Sequence, residues 1–252
     1  MRSARPCVWV RAMTIYAIGD IHGHLDKLRA AHDLIEADRA REGTREAPVI
    51  HVGDLVDRGP DSAGVVGTLA ELVAGDARCH VLLGNHDLMF REFLATRPGR
   101  WSDSPYLSSG IGGRSTLESY GLDTTLPARK LHDAAQDAVP EAHRRFLAEL
   151  PRLHETAECI FVHAGIQPGI PLAEQNPADL IWIRDQFLFD TRDHGRLVVH
   201  GHTPVARVEH HGNRLAIDTG AAWEGDLSAV VLEGREAWVL TGSGRAPAAR
   251  VA

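Results

Sequence analysis

The chain has 252 residues, of which 27 are Lys or Arg and 34 are Asp or Glu, and its formal net charge is -7. The basic residues are scattered along the sequence, which argues against a nucleic-acid partner and against a membrane surface as a partner. No apolar run reaches the roughly 18 residues that a membrane-spanning helix needs, and the length fits one domain with a substantial core.

Three widely spaced cysteines, Cys7, Cys79 and Cys159, form no CxxC motif. This usage is typical of a reducing compartment, so we expect structural thiols and a cytoplasmic location. The apolar patch near the start is too short for a signal peptide, and residues 1–12 are expected to form a flexible N-terminal arm. The main domain is predicted over residues 13–241. Residues 242–252, which are rich in Gly, Ala, Pro and Arg, are expected to form a disordered tail.

Three strand-to-helix units are predicted in the first part of the chain. Short apolar runs rich in β-forming residues alternate with segments whose apolar residues recur at helical spacing. Asp61 and Ser62, after Pro60, are the expected N-cap of the second helix. Such units in succession predict a parallel sheet, in which ligands gather at the carboxyl ends of the strands. The predicted strands are 14–18, 49–52 and 79–83, and the predicted helices are 25–37, 62–75 and 87–96.

The second half of the chain has a different pattern. Residues 97–125 are rich in Gly, Ser and Pro and are predicted to form an irregular excursion over the surface. A helix at 141–150 and two strands at 159–162 and 196–199 follow it. From residue 205 onward short alternating runs predict β-hairpins. Their expected strands are 206–210, 215–218, 227–232 and 237–241.

Six polar side chains are placed just after the predicted strands. A single Asp or His at such a place usually caps a turn, but repetition at five strand ends favours a shared site. Carboxylate, imidazole and amide ligands without a thiolate suit Mn, Fe, Zn or Co, and six ligands suggest two ions. A carboxylate such as Asp54 can bridge two ions that clamp a phosphoryl group. The candidate ligands are Asp20, His22, Asp54, Asn85, His163 and His202.

Five short motifs in order carry a family resemblance: GDIHG at 19–23, GDLVDRG at 53–59, GNHD at 84–87, HAG at 163–165 and GHTP at 201–204. The sequence resembles the metallophosphoesterases, and within them the bacterial-type phosphoprotein phosphatase (PPP) branch that includes the phage lambda phosphatase. The resemblance covers roughly residues 14–240. It implies an α/β fold, the calcineurin-like αββα sandwich, with βα units in the first half and β-hairpins at the end.

The resemblance also implies a role for each matched residue. Asp20, His22 and Asp54 would hold the first metal, and Asp54, Asn85, His163 and His202 would hold the second. His86 matches the family's general acid, paired with Asp57. Arg58 matches a phosphate-binding arginine, as does Arg184 in the segment Ile181-Trp182-Ile183-Arg184, and Asn85 would also face the substrate phosphate.

Two features differ from the eukaryotic members of the family. Asp87 stands where they usually have Glu, and the chain runs through Ile217-Asp218-Thr219-Gly220 in place of their C-terminal signature. These differences are typical of a bacterial member. Trp101, Trp182 and Trp223 are expected in the core or at the rim of the site rather than as stacking partners of a substrate.

The function implied by the resemblance is hydrolysis of phosphoserine and phosphothreonine in proteins, with phosphotyrosine left open, by attack of a metal-bridging hydroxide. Two divalent ions, manganese in the first place, are the expected cofactors. The alternative enzyme is a symmetrical dinucleoside tetraphosphatase, a branch that shares the GNHD motif but usually alters the Asp-Arg-Gly triplet, which is intact here at 57–59. A second alternative is a non-catalytic scaffold, which would normally lose ligands. The expected partner is a phosphoprotein or a small phosphoester, and the sequence leaves the oligomeric state open.

Overall fold

A computed structural model describes residues 13–99 and 104–251, so the predicted arm at 1–12 lies outside the described residues. The strands of the described residues, in chain order, are β1 (Thr14–Ile18), β2 (Val49–His51), β3 (Cys79–Val81), β4 (Leu153–Glu155), β5 (Cys159–Val162), β6 (Leu197–His200), β7 (Glu209–His210), β8 (Arg214–Ala216), β9 (Ala229–Glu233), β10 (Glu236–Thr241), β11 (Gly244–Pro247) and β12 (Ala249–Arg250).

The helices of the same residues are α1 (Leu25–Glu42), α2 (Ser62–Gly75), α3 (Asn85–Ala95), α4 (Gly113–Ser119), α5 (Ala128–Ala138), α6 (Glu141–Glu149), α7 (Asp179–Trp182) and α8 (Asp185–Leu188). Two short 3-10 helices span Pro105–Leu107 and Leu172–Glu174. Among the described residues no helix has both the length and the apolar composition that crossing a bilayer requires.

Across the described ranges the strands form two mixed sheets of six. The first has the order β11-β10-β9-β1-β2-β3, and the second has the order β12-β7-β8-β6-β5-β4. The sheets face each other across an apolar core that contains Ile50 and Val230 from the first sheet and Phe161 and Val199 from the second. Separate apolar clusters join the helices to the outer faces of the sheets. The predicted αββα sandwich is therefore confirmed.

The three βα units are also confirmed, because β1, β2 and β3 pair in parallel register. Helix α2 begins as expected, since the Asp61 side chain accepts a hydrogen bond of 2.8 Å from the backbone N–H of Gly64. Its apolar face buries Val65, Val66 and Leu69 against the sheet. This packing places the carboxyl ends of the three strands, with the loops that follow them, along one edge.

Two helix boundaries differ from the prediction. Helix α1 continues through the charged stretch to Glu42, because Asp38 is buried and pairs with Arg245 at 2.7 Å. Helix α3 begins at Asn85, two residues earlier than predicted, so Asn85 and His86 lie in its first turn. A helix can bury a charged residue where a partner of opposite charge pairs with it. The spacing of apolar residues in the sequence does not reveal such a partner.

The predicted disordered tail is wrong for residues 244–250. Strand β11 extends the first sheet by pairing with β10, and β12 extends the second by pairing with β7. Arg245 forms ion pairs with Asp38 and Glu233, which offsets the low strand propensity of this segment. The last strands therefore lie at one edge of each sheet, and ion pairs that the composition does not reveal hold them there.

The irregular excursion predicted at 97–125 needs a similar correction for its described part. It contains the 3-10 helix Pro105–Leu107 and helix α4, and it buries Tyr106, Leu107 and Leu117 in the core beside the first sheet. The predicted hairpins are confirmed as β7 with β8, in shorter form, and β9 with β10, with bounds shifted by one or two residues. Strand β4 and helix α5 were not predicted.

Candidate metal centre

The six candidate ligands converge on one edge of the sandwich. Asp20 and His22 follow β1, Asp54 follows β2, and Asn85 follows β3. His163 follows β5 and His202 follows β6 in the other sheet. Each of the six is buried. The carboxyl ends of strands from both sheets thus meet at a single site, as the sequence predicts.

Two triads of side chains have ligand atoms that lie within 4.8 Å of one another. The first is His22, Asp54 and His86, and the second is Asp54, His163 and His202. Asp54 belongs to both, with its oxygens 3.5 Å from His22 Nε2 and 3.3 Å from His163 Nε2. A carboxylate shared in this way has the position that a ligand bridging two ions requires.

Asn85 joins the second triad through its side-chain oxygen. Its Oδ1 lies 2.9 Å from His163 Nε2 and 2.9 Å from His202 Nδ1. Asp20 belongs to neither triad, although its Oδ2 accepts a hydrogen bond of 3.0 Å from the backbone N–H of His202. Asp20 therefore contacts the loop that carries His202, and its assignment to the first metal stays a prediction.

The donor set fits divalent cations. Asp20 Oδ1 and His202 Nε2 are buried and have no hydrogen-bond partner within the part of the chain that the structure describes. Burial lowers the pKa of His22 and of His202 to about 3, so both imidazoles are neutral and keep a lone pair for a ligand bond. Burial, reinforced by Asp218 and Asp54, raises the pKa of Asp20 well above its ordinary value. A bound cation would relieve that repulsion and satisfy the two orphan atoms.

Backbone carbonyls orient two of the imidazoles. His22 Nδ1 lies 2.9 Å from the carbonyl oxygen of Val56, and His163 Nδ1 lies 3.0 Å from that of Val52. Each Nδ1–H donates to its carbonyl, which leaves Nε2 free to face the site. Such outer contacts are the usual way in which a protein fixes the tautomer of a metal ligand.

The loops adopt an unusual backbone in order to present these side chains. Among the described residues, the non-glycine residues with positive φ are all site residues: His22, Asp54, Asp57, Arg58 and His202. Two glycines allow the loops to approach each other, because a Cβ on Gly84 would collide with Asp54 and one on Gly201 would collide with Asp20. The local sequence is therefore specialised for bringing ligands together at the expense of backbone strain.

His86 and Asp57 form the pair that the resemblance implies. His86 Nδ1 lies 2.8 Å from Asp57 Oδ2, and the carboxylate is fully buried. Burial lowers the pKa of His86, but the Asp54 and Asp57 carboxylates outweigh it and the net shift is upward. His86 thus favours the protonated form that a proton donor needs.

Two residues that the sequence analysis did not assign hold Asp57 in place. Tyr106 Oη and Thr116 Oγ1 each donate a hydrogen bond of 2.6 Å to Asp57 Oδ1. Thr116 Oγ1 also lies 2.8 Å from the backbone N of Asp57. Both come from the segment 97–125 that was predicted to be irregular. No helical or strand periodicity in the sequence distinguishes Tyr106 and Thr116. Their only local signal is that they lie close in sequence to the Gly112-Gly113 turn.

Asp87 and Asp218 are two further buried carboxylates near the site. Asp87 accepts hydrogen bonds of 2.9 Å from the backbone N–H groups of Leu55 and Gly84, so it joins two ligand loops. Burial, with the charge of Asp54, raises the pKa of Asp87 to about 7. Burial raises the pKa of Asp218 to about 6. The Asp-Thr-Gly sequence at 218–220 was the signal that could have placed Asp218 here.

The two candidate phosphate-binding arginines are placed differently. Arg58 Nη1 lies 2.8 Å from His22 Nε2, and its Nη2 lies 3.0 Å from His86 Nε2. Arg184 is exposed, and its Nη1 donates a hydrogen bond of 3.4 Å to Thr203 Oγ1, next to His202. Arg58 is thus within the site, whereas Arg184 lies at its margin.

Trp182 and Trp223 lie at the rim of the site. The Trp182 ring is 6.1 Å from that of His202, and Arg58 Cζ lies 4.8 Å from the Trp223 ring centroid. The expectation of a core or rim position is therefore confirmed as a rim position for these two. Trp101 lies outside the described residues.

Comparisons with known proteins agree with this geometry. Residues 13–231 match the sequence model of the calcineurin-like phosphoesterases. The asymmetrical bis(5'-nucleosyl)-tetraphosphatase PrpE of Anoxybacillus flavithermus is 27% identical over 244 residues, which cover 84% of this chain and 88% of the relative. The symmetrical bis(5'-nucleosyl)-tetraphosphatase of Nitrosospira multiformis is 25% identical over 279 residues, which cover 89% and 94%. The crystal structure of a cold-active protein-tyrosine phosphatase from a psychrophilic Shewanella has a TM-score of 0.60 at 18% identity and covers 94% of this chain and 80% of its own. At that identity the likeness concerns the fold alone.

Proposed function

Because the chain belongs to the calcineurin-like phosphoesterase family, we propose that it is a metal-dependent hydrolase whose substrate is a dinucleoside polyphosphate. The observation that carries this proposal is the likeness to bis(5'-nucleosyl)-tetraphosphatases over 88% and 94% of their own lengths. It revises the first preference drawn from the sequence, which was a phosphoprotein. The phosphoprotein substrate and the narrower PPP assignment have weaker support, because they rest on fold likeness and on motifs that the family shares.

The proposed cofactors are two divalent ions, with manganese as the first choice and Fe, Zn or Co next. The donor set of carboxylates, imidazoles and an amide oxygen without a thiolate supports this choice. His22 and Asp54 would hold one ion, with Asp20 beside them, and Asp54, Asn85, His163 and His202 would hold the other. When bound, the ions would neutralise charge on phosphate oxygens and activate water for attack.

Arg58 and Arg184 are proposed to bind phosphate oxygens. A guanidinium offers a planar fork of donors that matches a phosphate, and Arg58 already presents its Nη atoms between His22 and His86. Asn85 would also face the substrate phosphate through its amide. A polyphosphate chain carries several negative charges, and the exposed position of Arg184 suits the phosphates that lie farther from the reacting one.

His86 is proposed to protonate the leaving group, with Asp57 orienting and charging its imidazole. The contact of 2.8 Å between them supports this role. A general acid contributes about 10²- to 10⁴-fold when the leaving group is a poor one, such as a seryl alkoxide. A nucleotide phosphate is stable as an anion and needs much less protonation. His86→Ala should therefore cost more on a phosphopeptide than on a dinucleoside polyphosphate or p-nitrophenyl phosphate.

The test is a substrate panel with the Mn-supplemented enzyme. We expect kcat/KM for diadenosine tetraphosphate to exceed that for phosphoserine and phosphothreonine peptides. Product analysis distinguishes symmetrical cleavage, which releases ADP alone, from asymmetrical cleavage, which releases ATP and AMP. A higher kcat/KM for the phosphopeptides would overturn the proposal in favour of a protein phosphatase. Absence of hydrolysis of every phosphoester would instead indicate a non-catalytic scaffold.

A further inference from the structure

Two tryptophans of the site are unusually exposed for such large apolar side chains. The exposed fraction is 44% for Trp182 and 57% for Trp223. Tryptophan is enriched where a ligand or partner binds, because its ring combines a large apolar face with a polar N–H group. Neither residue has a part in the proposed hydrolysis, so their exposure calls for a separate explanation.

The two indoles border the two triads separately. Trp182 contacts His202 edge to face, with an angle of 86° between the rings, and His202 belongs to the second triad. Trp223 lies over Arg58, whose guanidinium contacts His22 of the first triad. Asp54 is the member that the triads share. The indoles therefore border different triads of the site.

The backbone that carries each exposed indole is held in place. Trp182 ends helix α7, whose preceding residues Leu180 and Ile181 are buried, and the Leu180 carbonyl accepts a hydrogen bond of 2.9 Å from the backbone N–H of Ala164. The loop of Trp223 is anchored by Lys27, whose Nζ donates to the carbonyls of Ala221 and Gly225 at 3.0 and 2.8 Å. Binding to an indole on a held backbone segment costs less ordering entropy than binding to one on a mobile loop.

A cleft of about 380 Å³ opens beside Trp182. This volume falls within the range of about 300 to 1,000 Å³ that is usual for small-molecule sites. Its lining includes polar groups of Gln167, Asp179 and Arg184 next to the indole. An aromatic wall with a few polar side chains suits a nucleobase and its ribose. The position of Arg184 in the same wall connects the cleft to the phosphate-binding side of the site.

Contrary to the expectation from sequence, we propose that Trp182 and Trp223 are stacking platforms for the two nucleobases of a dinucleoside polyphosphate, with the base on Trp182 lying in the adjoining cleft. This inference rests on the proposed function and adds the recognition of both ends of the substrate to it. The polyphosphate would then extend across the triads between Arg58 and Arg184. Every base presents a π-face, so such platforms select for nucleotides without selecting strongly among bases.

The experiment compares Trp182→Ala, Trp182→Phe, Trp223→Ala and Trp223→Phe on diadenosine tetraphosphate and on p-nitrophenyl phosphate, which has no nucleobase. Stacking on one aromatic ring accounts for about a 5- to 150-fold effect, so each alanine variant should lose that much kcat/KM on the dinucleotide. The phenylalanine variants should retain most of it. Phe189→Ala is the matched control, because it removes a 77%-exposed ring that stacks on neither His202 nor Arg58.

Activity on p-nitrophenyl phosphate separates stacking from other roles. Trp182→Ala should leave it near the wild-type value. Trp223→Ala can disturb Arg58 and so lower both activities, but the loss on the dinucleotide should be larger. For either residue, equal losses on both substrates would overturn the proposal and would assign the indole to support of the catalytic groups.

A second measurement distinguishes failure of this inference from failure of the proposed function. AMP and inorganic phosphate are tested as inhibitors of p-nitrophenyl phosphate hydrolysis in each variant. Loss of the Trp182 ring should weaken inhibition by AMP and leave inhibition by phosphate unchanged. Loss of the Trp223 ring, which contacts Arg58, should weaken inhibition by AMP more than inhibition by phosphate. Both results are expected even if the wild-type enzyme prefers phosphopeptides as substrates. Unchanged inhibition by AMP in both alanine variants would overturn the platforms whatever the substrate proves to be.

Discussion

Removing the Tyr106 hydroxyl should destabilise the protein by weakening the support of a buried charge. The hydroxyl donates a hydrogen bond of 2.6 Å to Asp57 Oδ1, and Asp57 is fully buried. In Tyr106→Phe this oxygen would keep Thr116 as its side-chain donor. A hydrogen bond to a charged group contributes about 1.5 to 3 kcal/mol, so we expect the free energy of unfolding to fall by that amount.

The same substitution at Tyr120 is a closely matched control. Tyr106 and Tyr120 both stack on Phe90, with ring centroids 5.8 and 6.0 Å away. The Tyr120 hydroxyl, however, is paired at 2.9 Å with His143 Nδ1 and not with a carboxylate. Tyr120→Phe should therefore cost no more than about 0.5 to 1.5 kcal/mol, which is usual for a neutral hydrogen bond. Both variants keep their rings, so neither creates a cavity.

The dependence on pH gives the Tyr106 prediction a second test. Burial raises the pKa of Asp57 in the folded protein above its value in the unfolded chain. The contribution of Asp57 to the free energy of unfolding therefore falls as the pH rises through the pKa of the folded state. Tyr106→Phe removes one hydrogen-bond donor to the Asp57 carboxylate and so raises the folded-state pKa of Asp57 further. The penalty of Tyr106→Phe should therefore be largest at neutral pH, where Asp57 is ionised, and should shrink on acidification. Urea unfolding at several pH values measures it. A penalty that equals that of Tyr120→Phe, or one that grows as the pH falls, would refute the reasoning.

Four further substitutions test the site and its surroundings. Asp54→Asn should abolish activity and most metal binding, because this carboxylate belongs to both triads, and metal analysis that found two tightly held ions would contradict the bridge. Arg58→Lys and Arg184→Lys should each raise KM and lower kcat with unchanged metal content, because Lys lacks the planar fork of the guanidinium. Wild-type kinetics in the Arg184 variant would show that Arg184 does not contact the substrate phosphate. Asp38→Asn should cost about 3 kcal/mol near neutral pH, because it breaks a buried ion pair with Arg245. Burial raises the pKa of Asp38, but Arg245, Arg41 and Tyr16 outweigh it and hold the pKa of the folded state below the ordinary 3.8. The cost of Asp38→Asn should therefore be full above pH 3.8 and should disappear as the pH falls through the pKa of the folded state. Urea unfolding at several pH values measures it.

The convergence of the six candidate ligands was predictable because each lies within four residues of the end of a strand. A run of β-rich residues that ends in Asp, Asn or His fixes both the type of side chain and its place at the sheet edge. Asp54 and His163 come from different sheets, and the order of motifs, more than any local pattern, indicated that they meet. The hydrogen bond between the Asp20 carboxylate and the backbone N–H of His202 was not predictable from local sequence, because the two residues are 182 positions apart.

Elements held by distant partners were the ones that sequence reasoning missed. Strand β12 pairs with β7, about 40 residues earlier in the chain, and Arg245 reaches back to Asp38 across 207 residues. Tyr106 and Thr116 lie in a segment whose Gly, Ser and Pro content is typical of loops. Their role depends on the buried position of Asp57, which local composition does not encode. Non-local pairing thus accounts for most of the differences.

The left-handed backbone at His22, Asp54, Asp57, Arg58 and His202 links the stability of the whole fold to the contents of its site. Such conformations cost on the order of 1 to 3 kcal/mol each, and this cost falls on the residues that would grip ions and phosphate. A ligand that binds only the folded chain at 100 times its Kd adds about 2.7 kcal/mol to the unfolding free energy. The melting temperature of this protein would then rise with the occupancy of its site. A chelator would lower the melting temperature without changing any contact in the apolar core.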